Sequence, residues 1–434
     1  MRVREVFLLI LIILAGVFFY HAYTGKLDIQ WNWGWDDEEG FLSWGEEYVY
    51  EESEILTTPL PASLHLKNSN GDIEIVGSDT ENISITFKKR IKRNSEEKAR
   101  KVAENLKMKI SREEERIDIS VNRGDFPKKN FRTDFILFLP SSMNVEIANS
   151  YGKVDVRSVK GAEITNRIGS VHIENIDGDL TLKVSYRDAE VVDVQGECRI
   201  ESTNADLDVR DIQGRVEIEN RYGRIELNDI PQDIIVDGSH SQIRGMNLAG
   251  NISIESSFKS IYLENTGPVK IIATNAPIEI YEASGLVDIK NNYGSVKLND
   301  IKGDLIIEGK NLKVTGQDIV SNLLTISTSY KTVDLSRFSG QCSIHADNAR
   351  IILYPKPLTH GIEAYGDYTD IDFRWPEGRY PIEAQSTGGR VIWSLPFEPA
   401  QRKENGLALI KAFTGEPTPA ISLSTRYGKI TIQE

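Results

Sequence analysis

The chain has 434 residues, enough for two or three ordinary domains or one elongated one, and 40% of them are hydrophobic, so it can fill a core. Its formal charge of −14 is unevenly placed: between Asp36 and Glu54 stand nine acidic residues and no basic one, and the rest is near balance. That balance argues against nucleic acid as a partner.

Residues 1–23 come first. Arg2 and Arg4 precede fifteen uninterrupted apolar residues, Val6 to Tyr20. The run ends in Phe18-Phe19-Tyr20-His21, not in the small-x-small pattern of a cleavage site, and no lipobox cysteine follows. The segment reads as a single-pass transmembrane helix, N-terminus cytoplasmic and body extracytoplasmic; the alternative is a signal whose cleavage releases a secreted protein. In residues 24–54, Trp31, Trp33 and Trp35 alternate, which suits either an aromatic anchor at the membrane interface or a short strand. The acidic residues behind them read as a solvated linker.

Residues 55–140 read as a small α/β capping segment. "SLHLKNSNGDIEIVGSD" gives strands broken at Asn70-Gly71 and after Gly77. "NSEEKARKVAENLKMKI" gives a helix capped by Asn94 or Ser95, with Ala99, Val102, Ala103 and Leu106 on one face. "RIDISV" and "DFILFLP" return to strand. Five of the six residues from Lys88 to Arg93 are basic. They read as a solvated strand edge kept from pairing by its charge, or as a contact for phosphate-bearing envelope polymers.

Residues 141–434 are periodic. An apolar-x-Gly turn recurs at Gly161, Gly178, Gly196, Gly214, Gly250, Gly285 and Gly303. The repeat units run from about 17 to about 20 residues. Each unit holds two short alternating runs, such as "RVEIEN" and "GRIELND". Runs with one apolar and one polar face are strands, and units this short leave no room for a helical crossover. Like residues at one offset mean stacked coils, so the fold class is all-β, a parallel β-helix (β-solenoid). Cys198 and Cys342 fall where other units place Val216, Ile252, Val269 and Leu305, and read as buried hydrophobes too many repeats apart to bridge.

A second, longer period marks Tyr151, Tyr186, Tyr222, Phe258, Tyr293, Tyr330 and Tyr365, a structural ladder. Between them the matching place holds Ile168, Ala205, Ala276, Leu312 and Ala349, often after Asn. A turn is therefore either about 36 residues with unlike halves, or about 18 residues with alternating content. The longer turn would put the tyrosines directly above one another. "NRYGRIELNDI" and "NNYGSVKLNDI" carry the motif in full; its glycine is expected at a tight corner of positive φ. The tail after Pro376 is less regular, with "FEPAQRKENG" as an inserted loop and "ISLSTRYGKITI" as a closing coil.

The strand opener "LKNSNGDIEIVGSD", the helix "SEEKARKVAENL", the "FILFLP" strand and the serial "NSYGKVDV", "NRYGRIEL" and "NNYGSVKL" units together resemble the bacterial β-strand-repeat putative adhesins, related to head domains of presumed autotransporter adhesins. The resemblance spans Ile55 to Glu434 and implies an envelope protein with a β-helical ectodomain and no established catalytic residues. The residues point the same way. Outward acids alternate with Lys and Arg. Glu217, Glu219 and Glu226, and likewise Asp367, Asp370 and Asp372, are the clusters a polysaccharide-degrading β-helix would need. The six histidines are scattered, and no metal, cofactor or catalytic site is expected. The expected function is adhesin-like binding or scaffolding at the envelope, without chemistry. Expected partners are the membrane and an envelope polysaccharide or another envelope protein. The alternatives are an accessory of an envelope-stress signalling system and, third, the polysaccharide-degrading enzyme.

Overall fold

Alternation of buried and exposed side chains runs through almost every strand of the computed structural model, which describes residues 45–126, 130–404, 406–413 and 419–434. The expected membrane segment 1–23 and Trp31, Trp33 and Trp35 lie outside the described residues. Among the described residues, no helix is long and apolar enough to cross a membrane.

The repeats form a parallel β-solenoid of about 13 turns, which at ~4.8 Å per rung is roughly 60 Å long. Ala162 pairs with Leu180, Leu180 with Cys198 and Cys198 with Val216, an identical step each time. Each turn is thus the shorter of the two expected lengths and holds two strands, and each strand pairs with the strand two places further on. The longer turn is not adopted. The long period arises because one column of the short turn alternates between two residue types. Two parallel ladders face each other across a continuous core of Ile, Val and Leu. Cys198 and Cys342 stand in the column of Val216, Val269 and Leu305, and burial pushes the Cys198 thiol up to about 12 and the Cys342 thiol up as well.

The N-terminal end departs from the expected boundaries. Its elements are β1 (Glu46–Leu56), β2 (Ser63–Lys67), β3 (Ile73–Ser78), β4 (Ile83–Arg93), α1 (Glu96–Asn105), β5 (Met108–Arg112), β6 (Arg116–Val121), β7 (Phe131–Pro140), β8 (Asn144–Tyr151) and β9 (Val154–Val159). β2 pairs in parallel with β8 on one side and β6 on the other; β3 does the same with β9 and β7. Residues 63–78 are therefore a full coil of the solenoid, and no boundary falls at 140. The chain lays this coil, then its outer neighbour, then returns to the inner side.

β4 runs antiparallel to β7, and β1 antiparallel to β4. This corrects two expectations. The acidic residues from Glu46 on are a strand, not a linker, and the basic run is covered by that strand on one side and by β7 on the other. The reason is charge complementarity: Glu51 faces Lys88, Glu47 lies 3.6 Å from Arg90, and Lys89, 1% exposed, donates to Glu52 at 2.5 Å and to the Ala103 carbonyl at 2.8 Å. Above them sits α1. Ser95 Oγ accepts from the Lys98 amide, and Ala99, Ala103 and Leu106 pack on Ile91 and Phe131.

At the other end the order is again inverted. The coil Ile362–Asp367 and Asp370–Arg374 is followed in the stack by the last coil of the chain, Ile421–Arg426 and Lys429–Gln433. That coil in turn carries Ile382–Thr387 and Arg390–Trp393 on its outer side. The expected closing coil is thus internal. The hairpin Ala400–Glu404 and Leu407–Ala412 lies outermost, so part of the expected loop is a strand.

Candidate binding edge

The Asn-x-Tyr-Gly motif builds one of the two corners of the turn. Its Asn points inward. Asn291, 1% exposed, donates through Nδ2 to the Ala276 carbonyl of the previous rung at 2.7 Å, and Asn220 donates likewise to Ala205 at 3.4 Å. Asn149 and Asn166 do the same toward Gly71 and Gly152, and hydroxyls of Thr328, Ser386 and Thr425 replace the amide elsewhere. The Gly is needed where rungs approach closely: a Cβ at Gly223 would stand 2.1 Å from the Ala205 carbonyl oxygen. The tyrosine carries a positive φ in both full copies, 67° at Tyr222 and 61° at Tyr293, whereas the expected positive φ of the glycine holds at Gly223, 136°, and not at Gly294.

Register places a single column along this corner. It runs Tyr151, Ile168, Tyr186, Asn204, Tyr222, His240, Phe258, Asn275, Tyr293, Asn311, Tyr330, Asn348, Tyr368 and Tyr427. From Tyr186 onward every member has φ between 51° and 67°. Asn adopts that left-handed conformation readily, whereas an aromatic residue does so at a cost of about 1–2 kcal/mol. The Tyr and Phe members from Tyr186 on are also solvent-facing, 47 to 61% exposed. They are therefore not core residues.

Of the seven ladder positions read from the sequence, Tyr151, Tyr186, Tyr222, Phe258, Tyr293 and Tyr330 stand in this column. Tyr365 does not: it lies on the strand Ile362–Asp367 and stacks on His345 at 4.6 Å, while Tyr368 occupies the column. Nor do the tyrosines sit directly above one another, because Asn usually intervenes and the rings lie two rungs, about 10 Å, apart. Ala205, Ala276 and Leu312 are buried one residue past the column, where Asn204, Asn275 and Asn311 stand. Sequence reasoning missed His240, although it stands midway between Tyr222 and Phe258. It closes the gap between them, with ring centroids at 5.0 and 4.8 Å. Tyr368 and Tyr427 also stack, at 4.9 Å.

The opposite corner carries a second left-handed column, polar throughout: Ser158, Asn175, Asp193, Asp211, Asp229, Asn247, Asn265, Glu282, Asp300, Asp318 and Arg337. Its side chains bond along the axis, Asn265 to Asn247 at 2.8 Å and Asn247 to Asp229 at 2.9 Å. The Arg337 guanidinium holds the Asp318 carboxyl down at about 2.

The carboxylate clusters are paired. Arg199 lies 3.2 Å from Glu217 and 3.7 Å from Glu219, Arg224 lies 3.2 Å from Glu226, and Arg350 bonds Asp372 at 2.7 Å. Asp370 accepts from the Lys429 amide, and Arg426 grips Asp367. Glu226 is moreover on a different ladder from Glu217 and Glu219. Among the described residues no group of His, Cys, Asp and Glu is arranged to hold a metal ion. Trp375 and Trp393 are half-buried in the C-terminal cap, 6.1 Å apart, and Phe397 lies against both.

No curated protein matches the chain. Among solved structures, a putative cell adhesion protein from Clostridium sporogenes is 10% identical over 89% of this chain and 99% of its own, with a TM-score of 0.19. A putative adhesin from Bacteroides fragilis is 11% identical over 67% of this chain and 97% of its own, with a TM-score of 0.22. The family described as Toastrack DUF4097 matches residues 62–239, beginning where β2 opens the first coil.

Proposed function

We propose that the protein is a non-catalytic, adhesin-like binding or scaffolding element of the cell envelope, held at the membrane by residues 1–23 with its solenoid outside. The observation that carries this reading is the aromatic column. Rings half exposed to solvent and held on left-handed backbone contribute little to the core, and the Asn of neighbouring rungs meets the same backbone demand at lower strain. A surface of this kind, repeated along a rod, suits a ligand that lies along the axis.

The test is a glycan and wall-polymer binding array probed with the detergent-purified full chain. Binding to at least one envelope polymer is expected; no binding to any polymer or envelope protein would sink the reading. Anchoring is tested separately by carbonate extraction of membranes, in which the chain should stay in the pellet.

A further inference from the structure

Resting on that reading, we infer that the aromatic column is a binding site for a neutral, extended polysaccharide of the β-1,4-linked type, lying along the solenoid axis. The polarised C–H face of a sugar ring stacks on the negative face of an aromatic ring, as other electropositive edges do. Rings two rungs apart stand about 10 Å apart. Every second residue of an extended β-1,4 chain presents the same face at a comparable interval.

The flanking residues select among polymers. From His240 to Tyr293 the strand entering the corner supplies Ser239, Ser257, Thr274 and Asn292, and the strand leaving it supplies Gln242, Ser260 and Ser295. These are hydroxyls and amides, the groups that pair with sugar hydroxyls. Lys259 is the one charged neighbour in that stretch. A single-stranded nucleic acid also stacks on aromatic platforms, but it needs a basic track for its phosphates; beside this stack stand Arg221, Arg224 and Lys259, and Arg224 is already paired with Asp206 and Glu226. Beside Tyr186 and Tyr222 a shallow groove of about 640 Å³ is lined by Ser185, Thr203 and the ion pair Lys183–Glu201, polar without a dominant sign.

The stack Tyr222–His240–Phe258 marks where the ligand is held most firmly. Only there in the column do three successive rungs carry contacting rings among the described residues, a continuous platform two rungs long.

The experiment titrates the full chain, purified in detergent, with cellohexaose, chitohexaose, the corresponding disaccharides and polygalacturonate by calorimetry. The variant is Tyr222→Asn with Phe258→Asn and Tyr293→Asn. Asparagine already occupies this column in the same conformation on intervening rungs, so the fold should persist, as a thermal melt will verify. A hexasaccharide is expected to bind at least tenfold tighter than its disaccharide. The triple variant should lose roughly a hundredfold, about fivefold per ring. Equal binding by variant and wild type, or binding of polygalacturonate or a protein in place of both hexasaccharides, would overturn the assignment. If the array finds an envelope polymer that the variant still binds, the column is refuted and the adhesin-like reading stands; if nothing binds, both fall.

Discussion

The inward Asn of the motif is the most exacting test of how this corner works. Asn291 donates one hydrogen bond to the Ala276 carbonyl, while its own Oδ1 has no partner. Only one of its four possible hydrogen bonds is made, which explains why Thr328 and Thr425 can serve the same place with one hydroxyl, at 2.9 and 2.8 Å. Asn291→Thr should therefore keep the bond, and Asn291→Val should remove it without changing shape or β-propensity. Both variants relieve the orphaned oxygen equally, so their difference isolates the bond to a buried carbonyl, about 1–2 kcal/mol. In hydrogen exchange, the amides of Ile278–Ser284 that pair across this rung should exchange about tenfold faster in the Val variant than in the Thr variant. Equal protection in the two would refute the claim that this hydrogen bond is why the motif begins with Asn.

Other consequences follow from the same geometry. Gly223→Ala should lower stability by more than about 3 kcal/mol in urea denaturation, because its Cβ would meet the Ala205 carbonyl at 2.1 Å; Gly124→Ala, with nothing within 4 Å, should be neutral. Glu52→Ala should lose about 2 kcal/mol by stranding the buried Lys89 ammonium, discounted because Glu52 is itself 44% exposed, whereas Lys89→Leu should stay within about 1 kcal/mol of the parent. Burial alone would raise the Asp155 carboxyl, but hydrogen bonds from Arg157 and Lys153 outweigh it and hold the carboxyl below its usual range. Its contribution is then complete above the unfolded value near 3.9 and fades as pH falls through the folded one. Asp155→Asn should lose stability at pH 7 and show a shallower acid decline below about pH 4, read by denaturant midpoints across pH.

Much of this fold was legible because the solenoid writes each turn locally. The apolar-x-Gly turns and the alternation of "RVEIEN" fix strand, corner and inward face within a single coil, and Cys198 could be placed by its distance from glycine alone. The aromatic column was half legible. Its long period was visible, but a period of two turns and a turn of doubled length predict the same spacing, and only pairing distinguishes them. His240 was hidden because histidine matched neither the aromatic nor the Asn class, and Tyr365 was taken for Tyr368 because the turn lengthens near Gly340. The salt-linked pair β1 and β4 was illegible for another reason. An acidic run and a basic run each look solvated alone, and nothing in either stretch states that the two are neighbours.

Both ends of the rod are also closed by contacts that no local pattern encodes, and their arrangement bears on function. A stack of parallel coils ends in open ladder edges, which recruit further strands unless they are covered. Here the chain does not stop at the last coil it lays. It sets Ile382–Thr387 one place further out, folds Ala400–Glu404 and Leu407–Ala412 over it, and only then fills the vacant rung with residues 421–433. The N-terminal end does the mirror operation, placing β6 and β7 outside the first coil and covering β7 with β4 and β1 and β6 with β5. Because the final coil is gripped by a neighbour on each side, it cannot fray as a terminal rung would, and the outermost strand is a short antiparallel one. Antiparallel strands thus cover three of the four ladder ends among the described residues, which disfavours end-to-end strand addition there. Along the length of the rod, the aromatic corner exposes large side chains that the core does not need.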